Sequence, residues 1–101
     1  MCSKEYICIN INELFGLNYQ RGDDMFEPML DPKIVGETIA EIRKRKSISQ
    51  DVISGLAGVG RTHLSAIERG ERKPTLETLY RLSIALDMKM SDLIVEIEKK
   101  L

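Results

Sequence analysis

Between Ser49 and Gly70 the chain reads SQDVISGLAGVGRTHLSAIERG, a fixed order of start, turn and stop signals. Ser49 is a favourable N-cap, because its side-chain oxygen can accept from an amide of the helix it precedes. The residues from Gln50 to about Ala57 then predict a short helix that buries Ile53 and Leu56. Ala57, Gly58, Val59 and Gly60 form a small-residue turn. A second short helix is expected from Arg61 to Arg69, with Leu64 and Ile67 turned inward. Gly70 closes it, since glycine tolerates the left-handed backbone found past helix ends.

The flanking sequence adds three more helices. Asp31-Pro32 combines an N-cap with a proline at the first helical position. Ile34, Val35, Ile39 and Ile42 then recur at helical spacing to about Arg45, and Lys44, Arg45 and Lys46 place positive charge at the helix end, where the dipole favours it. Pro74-Thr75 opens a fourth helix, with Thr75 as cap and Leu76, Leu79, Leu82 and Leu86 as an apolar stripe. Ser91 is expected to cap a fifth, in which Leu93, Ile94, Ile97 and Leu101 share one face. The expected fold class is all-α: a five-helix domain over residues 31–101, preceded by an extension over residues 1–30.

That extension has a different character. Tyr6-Ile7-Cys8-Ile9-Asn10-Ile11 is β-branched and partly alternating, as in a short strand. A strand needs partners for its amides, most simply from a second subunit. Asn12 to Tyr19 reads alternatively as a short helix, and Asn18 to Glu27 as an acidic, turn-rich linker. Tyr6, Ile7, Ile9, Ile11, Leu14 and Phe15 favour an ordered arm over a solvated tail.

The formal charge of −1 conceals a strong asymmetry. Residues 1–32 carry two basic and six acidic side chains. The stretch from Arg43 to Lys73 carries eight basic residues (Arg43, Lys44, Arg45, Lys46, Arg61, Arg69, Arg72 and Lys73) against Asp51, Glu68 and Glu71. Local positive charge of this kind suits a polyanion. No hydrophobic run approaches the ~18 to 20 residues of a membrane span. The first ten residues lack an export signal, and Cys2 and Cys8 alone fit a reducing cytoplasm better than a disulfide framework. The lone His63 has no cysteine or carboxylate at ligand spacing, so no metal or other cofactor is expected. No histidine–acid pair serves Thr62 or Ser65, so no catalytic residue is assigned and the chain is not expected to be an enzyme.

Two helices around a glycine turn, with this capping and this closing Glu68-Arg69-Gly70, make a helix-turn-helix. From about Ile34 to Leu93 the chain resembles the Cro/phage-repressor helix-turn-helix regulators, the xenobiotic-response-element-like family. The resemblance implies a DNA-binding transcriptional regulator whose third helix enters the major groove. Gln50 and the amides beside it would hold a backbone phosphate. Arg61, Thr62 and Ala66 would face base edges: Arg61 donating to guanine O6 and N7, Thr62 hydrogen-bonding or resting its methyl on thymine, and Ala66 supplying an apolar contact or clearance for close approach. His63 and Ser65 border that surface, His63 either as a contact or as a plain exposed side chain. Arg72 and Lys73 would follow the phosphate backbone. Lys44 and Lys46 depend on where the first helix ends. The family's structural ion pair maps onto Arg43 and Glu68. Three positions depart from the family pattern: Gly60 as the recognition-helix cap, Gly55 inside the second helix, and Ser54 at a position often held by alanine.

The implied partner is double-stranded DNA, bound by a homodimer whose third helices lie about 34 Å apart on a pseudo-palindromic operator. The expected dimer interface is the apolar face of the fifth helix, with Ile94, Ile97 and Leu101 as its contacts, the amino-terminal arm, or both. A rival reading makes residues 1–30 an antitoxin-like segment that neutralises a protein partner, with DNA binding as autoregulation.

Overall fold

The computed structural model describes residues 28–101, so the readings placed on Cys2, Cys8, Tyr6–Ile11, Asn12–Tyr19 and the whole acidic linker Asn18–Glu27 lie outside the described residues. Among the described residues five helices follow in order: α1 (Pro32–Arg45), α2 (Gln50–Ala57), α3 (Arg61–Glu68), α4 (Leu76–Ala85) and α5 (Met90–Glu98). There is no strand among the described residues.

Local chemistry sets most helix starts. The Asp31 carboxylate accepts from the Lys33 amide at 2.9 Å, with Pro32 as the first helical residue. Ser49 accepts from the Val52 amide and Thr75 from the Thr78 amide, each at 3.1 Å. Gly60 precedes α3 with no side chain to cap it. Gly58 ends α2 at φ +68° and Gly70 follows α3 at φ +81°, left-handed conformations that cost glycine little. The fifth start differs from the expectation: Lys89 is the N-cap and Ser91 lies inside the helix. Burial of Leu93, with Met88 packed against the core, sets this register and overrides the capping preference of serine.

Helices of eight residues are unstable alone in water and persist here through packing. α1 lies against α3 and α5, α2 against α3 and α4, and α4 against α5. Their shared core comprises Val35, Ile39, Ile42, Ile53, Ala57, Val59, Leu64, Ile67, Leu79, Leu82, Leu86, Leu93 and Ile97. Two apolar expectations are corrected. Leu56 is 65% exposed, because the inward arc of α2 is Ile53, Ser54 and Ala57. At about 100° per residue, Leu56 lies roughly 160° round the helix from Ser54. Leu76 is 67% exposed, because the buried face of α4 begins one turn later, at Leu79.

The α1–α3 crossing is unusually close. A Cβ on Gly36 would stand 2.1 Å from the Ile67 carbonyl oxygen and 2.8 Å from that of Glu68. Both obstacles are backbone, so a side chain there must push the helices apart. Gly36→Ala is expected to destabilise the domain by about 2 kcal/mol or more, within the range for overpacked cores. Urea denaturation followed by circular dichroism measures this, with Gly55→Ala as the control, since nothing lies within 4 Å of a Cβ at Gly55.

Candidate nucleic-acid interface

α3 packs Leu64 and Ile67 into the core, which turns Arg61 and Thr62 to solvent and leaves His63, Ser65 and Ala66 half-buried. Its angle is fixed by a polar network. Arg43 Nε donates to Glu68 Oε2 at 2.7 Å, and Nη2 donates to Oε1 at 3.0 Å. The remaining terminal nitrogen, Nη1, donates to the Ile48 carbonyl at 2.9 Å. Gln50 Nε2 gives Glu68 Oε1 a further hydrogen bond at 2.8 Å. The side chains of Arg43 and Glu68 are only 11% and 7% exposed, so this pairing works in a poorly hydrated setting.

The network continues to the surface. Gln50 Oε1 accepts from Ser65 Oγ at 3.0 Å and from Arg61 Nε at 3.3 Å. Arg61 Nη1 donates to Asp51 Oδ1 at 2.8 Å. Gln50 therefore joins α2 to both ends of α3. The amides of Gln50 and Asp51 stay at the open N-terminus of α2, without intrahelical partners. The sequence assigned Gln50 to a phosphate, Arg61 and Ser65 to the outward face of the third helix and its border, and Arg43–Glu68 to a separate structural pair, and the structure joins all five in one chain of hydrogen bonds. Asp51, the Ile48 carbonyl and Gly36 were missed. Only Asp51 left a signal, as an acid in the first turn of α2 with Arg61 opening the next helix.

Pairing sorts the basic stretch. Asp51, Glu68 and Glu71 engage Arg61, Arg43 and Arg69 respectively. The Arg69–Glu71 pair lies in the open, where its hydrogen bond and opposite charges lower the Glu71 carboxyl pKa and raise that of the guanidinium. Lys44, Arg45, Lys46, Arg72 and Lys73 have no carboxylate partner among the described residues, and all five are exposed. The unneutralised charge therefore stands at the end of α1 and in the segment after α3.

The dimer candidates separate. Ile97 is 3% exposed and closes the core of its own chain, leaving it little surface to offer a partner. Ile94 is half-buried and Leu101 is 63% exposed. Together with Leu30, Pro32 and Pro74 they line an apolar groove of about 360 Å³, which Ile97 also borders. No group of potential metal ligands occurs among the described residues, and no described helix is long and apolar enough to cross a membrane.

The helix-turn-helix family HTH_3 matches residues 39–93, a range from the middle of α1 to Leu93 of α5. An uncharacterised HTH-type transcriptional regulator of Sinorhizobium fredii, y4dJ, is 37% identical over 62 residues, spanning 61% of this chain and 80% of that protein. Control protein C.MunI of a Mycoplasma species is 35% identical over 74 residues, spanning 71% of this chain and all of that protein. Among solved structures, the restriction-modification controller protein C.AhdI of Aeromonas hydrophila superposes with a TM-score of 0.61 at 31% identity. That alignment covers 64% of this chain and 98% of the controller protein.

Burial makes the Arg43–Glu68 pair expensive to break from one side only. Arg43→Ala or Glu68→Ala is expected to cost about 3–5 kcal/mol, because the surviving charge is stranded. Replacing both by Met and Leu should cost much less than the two single losses together. Guanidinium unfolding midpoints for the three variants test this.

Proposed function

The chain belongs to the helix-turn-helix family of DNA-binding transcriptional regulators, and from that premise we propose that it binds a specific duplex sequence as a homodimer and acts as a repressor. The observation that carries the reading is the placement of charge around α3. Its outward face presents Arg61 and Thr62, the open N-terminus of α2 lies beside it, and cations without a carboxylate partner among the described residues stand at the end of α1 and after α3. In this reading α3 enters the major groove, with Arg61 donating to guanine and Thr62 and Ala66 meeting thymine methyls. The amides of Gln50 and Asp51 receive a phosphate, and Ser65 supports the contact through Gln50. His63 borders the groove, while Arg72 and Lys73 follow the backbone.

The groove lined by Ile94 and Leu101 is the surface we assign to the second copy. Exposed apolar side chains around a concave floor gain from mutual burial. Leu101→Asp should shift the chain towards monomer in sedimentation equilibrium, leave its helical spectrum unchanged, and weaken operator binding at least ~10-fold.

The reading is tested by titrating the purified protein against the DNA upstream of its own gene, at two salt concentrations, with scrambled duplex as control. Preferential, salt-sensitive binding supports a sequence-specific regulator. Weak binding without preference would shift the reading to a protein partner engaged by residues 1–30. Arg61→Ala is expected to lose ~1 to 3 kcal/mol and relax preference at one base pair. Arg72→Ala should weaken binding about uniformly and reduce the slope of log affinity against log salt by about 1.

A further inference from the structure

We propose that Asp51 is a specificity-determining positioning residue, which holds the Arg61 guanidinium in the orientation that reads guanine. The inference rests on the reading of α3 as the groove-entering helix, and adds a residue which that reading assigns only a backbone amide.

Arg61 projects from the first position of α3, and its side chain is 58% exposed. A long side chain in that setting samples many rotamers, and fixing it in a complex costs conformational entropy. Here it is held twice from α2: Nη1 donates to Asp51 Oδ1 at 2.8 Å and Nε donates to Gln50 Oε1 at 3.3 Å. Gln50 is itself anchored on the buried Glu68 and on Ser65. The two acceptors therefore set the plane of the guanidinium relative to the core. Among the described residues Nη2 has no hydrogen-bond partner, and Nη1 retains a second hydrogen. Donors on both terminal nitrogens are what a bidentate contact to guanine O6 and N7 requires.

The pair is not a stability device. Asp51 is 73% exposed, and exposed ion pairs of this kind contribute little to folding. Nor does its charge favour binding in general, because a carboxylate in the first turn of α2 stands where phosphates would run and repels them. Its charge opposes random and cognate DNA alike, whereas its hold on Arg61 favours cognate DNA alone, so its net effect is on preference rather than on affinity in general.

The test uses the full chain and four variants: Asp51→Ala, Asp51→Asn, Arg61→Ala, and Asp51→Ala combined with Arg61→Ala. Each is titrated by fluorescence anisotropy against its upstream duplex, against scrambled duplex, and against duplexes carrying single G·C→A·T changes. Wild type should lose roughly 5- to 150-fold at the guanine read by Arg61, the usual penalty of one mismatch. Asp51→Ala should shrink that penalty at least ~3-fold while scrambled DNA binds as well as before or better. Asp51→Asn, which keeps an acceptor without the charge, should fall between the two. With Arg61 already removed, Asp51→Ala should leave every base preference unchanged. Equal tightening on all duplexes by both Asp51 variants would overturn the proposal, leaving only repulsion of phosphates. Loss of preference that persists without Arg61 would overturn it as well. A wild-type chain that does not distinguish native from scrambled duplex would overturn the groove reading itself; intact preference unmoved by Asp51→Ala would overturn this inference alone.

Discussion

The Glu68 carboxylate, placed at the end of α3 and nearly sealed from water, must be answered by positive charge and hydrogen-bond donors. Its desolvation is tolerable because Arg43 approaches with two nitrogens and Gln50 adds a third donor. Those donors come from α1 and from the start of α2. Satisfying one carboxylate therefore locks three helices together. The same requirement holds the Ile48 carbonyl, because Arg43 has a terminal nitrogen left after the pair is made. A buried charge of this kind restricts the geometry in ways apolar contact does not, since a shift of an ångström leaves a hydrogen bond unmade.

From that fixed point the polar chain runs outward through Gln50 to Arg61 and Asp51. The path passes from nearly buried to mostly exposed side chains within two hydrogen bonds. Rigidity at one end is thereby transmitted to a side chain at the surface. The apolar side of α3 works in the same direction, since Leu64 and Ile67 are both fully enclosed. Close approach of α1 at Gly36 completes the support, because only a residue without Cβ lets the two backbones meet. The helix that faces solvent is thus immobilised from beneath on both its apolar and its polar sides.

Much of this was legible beforehand where the signal is local. Asp31, Ser49 and Thr75 each accept from an amide two or three residues away, a relation that needs no tertiary context. Gly58 and Gly70 end helices for equally local reasons. Leu56, Leu76 and Ser91 misled because hydrophobicity and capping preference are weak beside the register set by a packed neighbour. Ile97 carries a related ambiguity: an apolar residue near the end of a domain serves a core or a partner equally well, and packing here encloses most of it in its own core. The Arg43–Glu68 pair was legible through resemblance, but its additional partners were not.

The sequence by itself determined the five helices, the turn between α2 and α3, and the concentration of basic residues from Arg43 to Lys73, since all of these depend on neighbours within a turn or two along the chain. Only the tertiary structure decided that Glu68 takes up Arg43, that Gln50 spans both ends of α3, that Asp51 meets Arg61, and that Gly36 admits a crossing helix. Those relations join residues 10 to 25 positions apart, or a backbone to a missing side chain. They exist only once helix packing has fixed distance and angle, which no local pattern of residues specifies.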